Sequence, residues 1–251
     1  MCTVVVAHRP SHNWPILVAA NRDEMKDRPW LPPARHWNDR PHIVAGQDEL
    51  AGGTWMGIND DGVFAAILNR RGSLGPDAQK RSRGEIVLEA LDHESASASA
   101  QALQNLDPAA YRSFNVIIAD FEQAFWLKGD ESECSAVLAH ALEPGISMIT
   151  HTDLNDRKSA RIGHHLDRFQ FAPLPDISDE PKFDDWFTWS ALLSDKRRYS
   201  DFTSAMNIES ESGFGTVSHS LVALPNRLLE AEKKPIWHFA AVNQDYDQVE
   251  L

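Results

Sequence analysis

Two stretches carry the reading of the chain: Met1-Cys2-Thr3-Val4-Val5-Val6-Ala7 and, one polar turn later, Ile16-Leu17-Val18-Ala19-Ala20-Asn21-Arg22-Asp23-Glu24. Residues 3–7 and 16–20 are apolar, strand-length runs, and the first is rich in β-branched Val. The His8-Arg9-Pro10-Ser11-His12-Asn13 segment between them predicts a turn, so the two runs read as a buried hairpin. In an antiparallel pair the far ends coincide, which puts residue 2 beside residues near 21–23. Removal of Met1 would leave Cys2 with a thiol and an α-amine on the same residue. The ordinary pKa values of these groups are ~8.5 and ~7.7–8.0. Such an amine can take the thiol proton and activate the sulfur as a nucleophile. The plain alternative is a small apolar residue that opens a strand. In the tetrad that follows, an Asp can hold an ammonium and an Arg can grip a carboxylate or phosphate with two parallel bonds. The plain alternative there is a solvated turn, which the continuing charge of Met25-Lys26-Asp27-Arg28 favours.

The remaining sequence alternates between strand and helix signals. Pro29, Pro32, Pro33 and Pro41 exclude regular structure for about a dozen residues. Residues 54–59 and 63–68 flank Asp60-Asp61-Gly62, a hairpin signal. Residues 83–92 and 95–105 read as helices, the first with Ile86, Val87, Ala90 and Leu91 on one face. Strands are expected at 114–120, 124–127, 135–139 and 146–150. Residues 158–169 read as a helix with Ile162, His165, Leu166 and Phe169 on one stripe, and 184–193 as another. Strands at 215–224 and 235–242 close the chain. Residues 172–184, with Pro173, Pro175 and Pro181, read as a long loop inside one domain spanning 1–251. Strands, helices, strands, helices, strands is not the alternation of a doubly wound fold. It implies an α+β protein of antiparallel sheets with helices packed outside.

Composition sets the limits. The chain has 251 residues, 42% hydrophobic and 24% charged, which is globular rather than disordered. A net charge of −13 repels phosphate backbones and anionic lipid heads, so nucleic acid and bare membrane are not expected partners. No apolar run reaches the ~18–20 residues of a membrane span, and the N-terminus lacks the pattern of an export signal. With only Cys2 and Cys134, a reducing, cytoplasmic location is the expectation.

Ala51-Gly52-Gly53-Thr54-Trp55-Met56-Gly57 is the next candidate. Paired glycines permit positive φ and close backbone approach, and can bare N–H groups toward an oxyanion. A tight loop into a strand is the alternative. Asn69, at a strand end, is a candidate oxyanion donor or a turn residue. Eleven His residues fall in no metal-binding spacing, and no cofactor motif is complete.

Taken in order, Met1-Cys2, Asn21-Arg22-Asp23-Glu24, residues 51–57 and Phe64-Ala65-Ala66-Ile67-Leu68-Asn69-Arg70 resemble the NRDE family, which includes the transport and Golgi organization protein 2 group. Phe114-Asn115-Val116 and Gly215-Thr216-Val217 extend the match. The resemblance implies an N-terminal-nucleophile (Ntn) hydrolase-like fold, a four-layer αββα sandwich of antiparallel sheets. More distantly the start is similar to choloylglycine hydrolases and penicillin V acylases. In those enzymes an N-terminal Cys attacks an amide, an Asp assists and an Asn stabilises the oxyanion. The resemblance places Cys2, Asp23 and Asn69 in those roles, with Asn21, Arg22, Glu24, Gly53, Thr54 and His151 toward the substrate. Ala20 stands where the acylases have Arg, and the Arg falls at Arg22. Their second Asn corresponds to the region of Thr150-His151-Thr152, where His151 either fills that role or is a strand-end residue.

Two functions follow. One is an amidohydrolase acting on a small acyl amide, with Cys2 as nucleophile and no cofactor or metal. The other is a non-catalytic carrier on the same scaffold. The family's association with haem and lipid handling points that carrier to haem or acyl-CoA.

Overall fold

A computed structural model of the chain describes residues 2–75, 77–130, 135–177 and 182–251. In chain order the strands and helices are β1 (Thr3–His8), β2 (Ile16–Met25), β3 (Trp30–Ala34), β4 (Ile43–Asp48), β5 (Met56–Asn59), β6 (Phe64–Asn69), α1 (Gly84–Leu91), α2 (Ala96–Leu103), β7 (Phe114–Ala119), β8 (Ala124–Gly129), β9 (Leu138–Ala141), β10 (Gly145–Ile149), α3 (Ala160–Phe171), α4 (Phe187–Leu193), β11 (Phe214–Leu224), β12 (Ile236–Ala241) and β13 (Asp247–Gln248). They form two compact units. One comprises Met1–Arg28 with Pro144–Glu250, the other Pro29–Glu143.

The first unit holds a six-stranded antiparallel sheet in the order β10-β1-β2-β11-β12-β13. The expected hairpin is there: β1 and β2 pair from His8 opposite Ile16 to Thr3 opposite Asn21. Strand alternation then divides the residues between two faces. Val5, Ala7, Leu17, Ala19, Leu221 and Ala223 pack against Ile162, Leu166 and Phe169 of α3 and Trp189 and Leu193 of α4. The stripe expected on residues 158–169 is the buried face of α3. Val4, Val6, Ile16, Val18 and Ala20 alternate with the first set and are buried on the other face.

The second unit holds a seven-stranded antiparallel sheet in the order β3-β4-β5-β6-β7-β8-β9. Helices α1 and α2 bury Ile86, Val87, Leu91, Ala100 and Leu103 against Ala65, Ile67, Val116, Ile118 and Leu127 of this sheet. The β5–β6 hairpin turns through Gly62 at φ +83°, a conformation that favours glycine. Asn59 fixes its base. The side chain accepts from Val63 N at 2.8 Å and donates to Leu91 O at 2.9 Å, tying the hairpin to the end of α1. Each unit thus supplies one antiparallel sheet and one helical layer, the α+β content expected from the order of elements.

Several expectations need correction. The proline-rich segment contains β3, an edge strand whose pairing with β4 is broken between Leu31 and Ala34, where Pro32 and Pro33 lie. An edge strand at a bulge tolerates residues without an N–H. Strand β4 was not anticipated. The tetrad Asn21–Glu24 is not a turn after β2 but part of it, since β2 runs to Met25. The strand expected at 135–139 is found at Leu138–Ala141. The helix expected at 184–193 begins as a 3₁₀ turn, Phe183–Trp186, before α4. Among the described residues no helix is long and apolar enough to cross a membrane. Met1, Pro181 and Cys134 lie outside the described residues.

Candidate functional site

At the open end of the β1–β2 hairpin the Cys2 Sγ lies 3.7 Å from the main-chain oxygen of Asp23 and donates to it. The sequence expected this meeting of residue 2 with residues 21–23, and sheet register alone brings it about. Cys2 is half-buried. Burial pushes its thiol above the ordinary value. The Asp23 charge adds to this, and the Arg22 charge acts against it.

The Asp23 side chain is fully enclosed. Its Oδ2 takes a 2.8 Å bond from Arg161 Nη1, and its Oδ1 takes a 2.6 Å bond from Thr216 Oγ1. Arg161, in the first turn of α3, also donates from Nη1 to Thr3 Oγ1 at 2.6 Å and from Nε to Thr203 O at 3.1 Å. Thr216, on β11 opposite Asp23, accepts from Ile208 N at 2.8 Å. Thr3, Asn21 and Asp23 therefore face α3 and α4. The strand period puts Arg22, which is buried, on the opposite face of β2.

Asn21 ties the sheet to the helical layer. Its Nδ2 donates to Leu193 O at 3.0 Å and Met206 O at 2.9 Å, and its Oδ1 lies 2.6 Å from His219 Nδ1. Since the amide oxygen only accepts, the imidazole carries its proton on Nδ1. Burial holds His219 down to about 4, so the ring is neutral at pH 7. Thr3, Asn21 and His219 stand in one row across β1, β2 and β11. Glu24 is half-buried and its Oε1 accepts from Met25 N at 2.9 Å.

In the second unit, Asn69 ends β6 and is half-buried. The glycine pair divides the two properties expected of it. Gly52 has φ +71°, while a Cβ on Gly53 would stand 2.6 Å from the carbonyl carbon of Gly84. The Gly52 N–H is bonded to Asp48 O and the Thr54 N–H to Gly84 O. Thr54 is buried, its hydroxyl bonded to Met56 O and Met56 N. His151 follows β10 in the first unit and is half-buried.

Sequence reasoning missed Arg161, Thr216 and His219 as partners of the tetrad. A signal for Arg161 existed: it precedes Ile162 by one position and His165 by four, so helical spacing carries it onto the buried stripe. A buried cation needs a buried anion.

A family model described as Transport and Golgi organisation 2 matches residues 1–227. The Homo sapiens Transport and Golgi organization protein 2 homolog is 38% identical over 120 residues, 46% of this chain and 41% of that protein. The Mus musculus homolog is 36% identical over 119 residues, with the same shares. The match thus spans less than half the length of these curated relatives. Among solved structures, the Caenorhabditis elegans ortholog of N-acylethanolamine-hydrolyzing acid amidase has a TM-score of 0.56 at 14% identity, over 88% of this chain and 92% of that one. Penicillin V acylase from Agrobacterium tumefaciens has a TM-score of 0.56 at 11% identity, over 100% of this chain and 86% of its own. A variant of the conjugated bile acid hydrolase from Clostridium perfringens has a TM-score of 0.55 at 11% identity, over 100% and 92%. At these identities the likeness is one of fold, and the fold is the Ntn-hydrolase-like one.

Proposed function

We propose, for a chain that belongs to the Transport and Golgi organisation 2 family, that Cys2 is the nucleophile of an N-terminal-cysteine amidohydrolase acting on a small acyl amide. The observation that carries this reading is the approach of Cys2 Sγ to Asp23 at the end of the hairpin. The fold likeness to an acylase and an acid amidase adds to it.

In the processed chain the α-amine of Cys2 takes the thiol proton. Sγ then bonds to the amide carbonyl carbon, and the carbonyl π electrons move to oxygen. When the carbonyl re-forms, the C–N bond breaks and the departing nitrogen receives the proton held by the α-ammonium. Water attacks the resulting thioester and gives its proton to the α-amine. The thiolate leaves, recovers a proton, and the acid is released.

Asp23 positions the sulfur through its main-chain oxygen, which receives Sγ–H, while its charge opposes formation of the thiolate. Burial of the thiol works against attack, so the amine has to supply the base strength. Two measurements test the reading: intact mass of the native protein, and acylation by a thiol-directed acyl probe mapped by peptide mass. Loss of Met1, acyl adduct on Cys2 in preference to Cys134, and loss of amide turnover in Cys2→Ala are expected. Retention of Met1, or an unlabelled Cys2, would end it.

Ala20, which stands where the acylases have Arg, favours one second reading, a carrier of haem or acyl-CoA in which Cys2 performs no chemistry. Calorimetric titration with each ligand on parent and Cys2→Ala separates the two. Equal micromolar binding by both proteins, without turnover, would select the carrier.

A further inference from the structure

We propose that Arg161 is the positioning residue of the Cys2 site, clamping the strand that carries the sulfur to the carboxylate of Asp23. The inference rests on the reading of Cys2 as a reactive thiol and adds a residue to it from outside the N-terminal motif.

Three bonds define the clamp. Arg161 reaches Thr3 Oγ1 at 2.6 Å, one residue from Cys2, and Asp23 Oδ2 at 2.8 Å, in the residue whose carbonyl receives Sγ. Its Nε is anchored on Thr203 O, so the guanidinium cannot follow either strand. The planar fork of Arg suits this task, whereas a Lys ammonium supplies the charge without the fixed geometry.

Energetics argue that the clamp is more than cement. The side chains of Arg161 and Asp23 are 2% and 0% exposed. Desolvating two charges consumes most of their attraction, and an apolar pair of similar volume often stabilises a protein as well or better. A pair this deep gives little net stability. What it does give is fixed geometry and fixed charge at the corner where Cys2 lies. Asp23 and Arg22 are charged side chains that act on Cys2. Arg161 stands behind Asp23 and offsets the negative charge that the sulfur feels.

The test is the pH profile of Cys2 alkylation by iodoacetamide, read by peptide mass with Cys134 as internal reference, alongside thermal melting. Arg161→Gln leaves the buried carboxylate without its cation, and the alkylation midpoint is expected to rise by about one pH unit. Arg161→Lys restores the charge and is expected to return the midpoint close to the parent value. The Asp23→Asn/Arg161→Gln double variant removes both charges and keeps a neutral, hydrogen-bonded pair, so it serves if the single Gln variant fails to fold. Because the Asp23 charge acts on the sulfur directly and Arg161 acts through Asp23, the midpoint of the double variant is expected to fall below the parent. A merely structural Arg161 would change melting alone. Coincident midpoints in the parent and in every folded variant would overturn the proposal. If the midpoints shift as stated while no amide is turned over, the clamp stands and the hydrolase reading falls. If Cys2-dependent turnover is found with coincident midpoints, the outcome is the reverse.

Discussion

Replacement of Thr216 by Val tests how the buried carboxylate of Asp23 is held. Valine has nearly the shape of threonine, so the perturbation is the hydroxyl itself. That hydroxyl makes two short bonds, donating to Asp23 Oδ1 at 2.6 Å and accepting from Ile208 N at 2.8 Å, with Met206 O a more distant acceptor at 3.5 Å. The bond to a charged acceptor is worth about 1.5–3 kcal/mol, and an Ile208 N–H left unpaired costs about 1–3 kcal/mol. Neither group can turn to water, since Thr216, Asp23 and Ile208 are all buried. The two costs share one atom and do not add fully, so a loss of about 3–5 kcal/mol is expected. Thr216→Ser keeps the hydroxyl and removes one methyl, which costs about 1 kcal/mol. Urea unfolding of the three proteins at equal pH measures this directly, provided the slopes agree. The gap between Val and Ser variants is the hydroxyl's contribution. If the two lie within about 1 kcal/mol of each other, the carboxylate does not depend on Thr216 and the account of its enclosure is wrong.

Gly53→Ala places a methyl against the Gly84 backbone, where no side chain can move aside, and is expected to cost about 1–3 kcal/mol in unfolding experiments. Gly52→Asn, at φ +71° with open space around its Cβ, is expected to stay within about 0.5 kcal/mol of the parent. Burial holds His165 and His219 down to about 4, so the native state refuses protons that the unfolded chain accepts near ~6.5. Their stabilisation is therefore complete above about pH 6.5 and is lost as pH falls toward 4. About 2 kcal/mol per histidine should disappear between pH 7.5 and 5, measured by urea midpoints, and His219→Asn should flatten part of that slope. Asn69→Ala tests the oxyanion role implied by the sequence resemblance, with an expected drop in kcat of about 10²–10³-fold on any amide found to be turned over. An unchanged kcat removes Asn69 from the mechanism.

The ends of the chain were easier to read than the reasons for them. The β1–β2 hairpin follows from two apolar runs and a turn, and with it the neighbourhood of Cys2 and Asp23. Local pattern failed at Asn21–Glu24, which looks like a turn because four polar residues in a row rarely enter a buried strand. Asn21 and Asp23 enter this one because Leu193, Met206, Arg161, Thr216 and His219 supply their partners, from 138 to 198 positions away. No window of sequence contains both halves of that arrangement. The prolines misled for a different reason. They bar a central strand, but Pro32 and Pro33 sit at a break in the pairing of an edge strand, where the missing N–H costs nothing. In the second unit, Asp60-Asp61-Gly62 announced its hairpin, and the apolar stripe of α1 announced its packing face.

The long pairing of β2 with β11 imposes a timetable. Asp23 and Thr216 are 193 positions apart, and synthesis at roughly 5–20 residues per second separates their emergence by about ten to forty seconds. During that interval the N-terminal ribbon has been made but has an unpaired edge, the kind of surface that recruits stray strands. The period in which this edge of the ribbon is open to mispairing therefore lasts from the synthesis of β2 until β11 arrives.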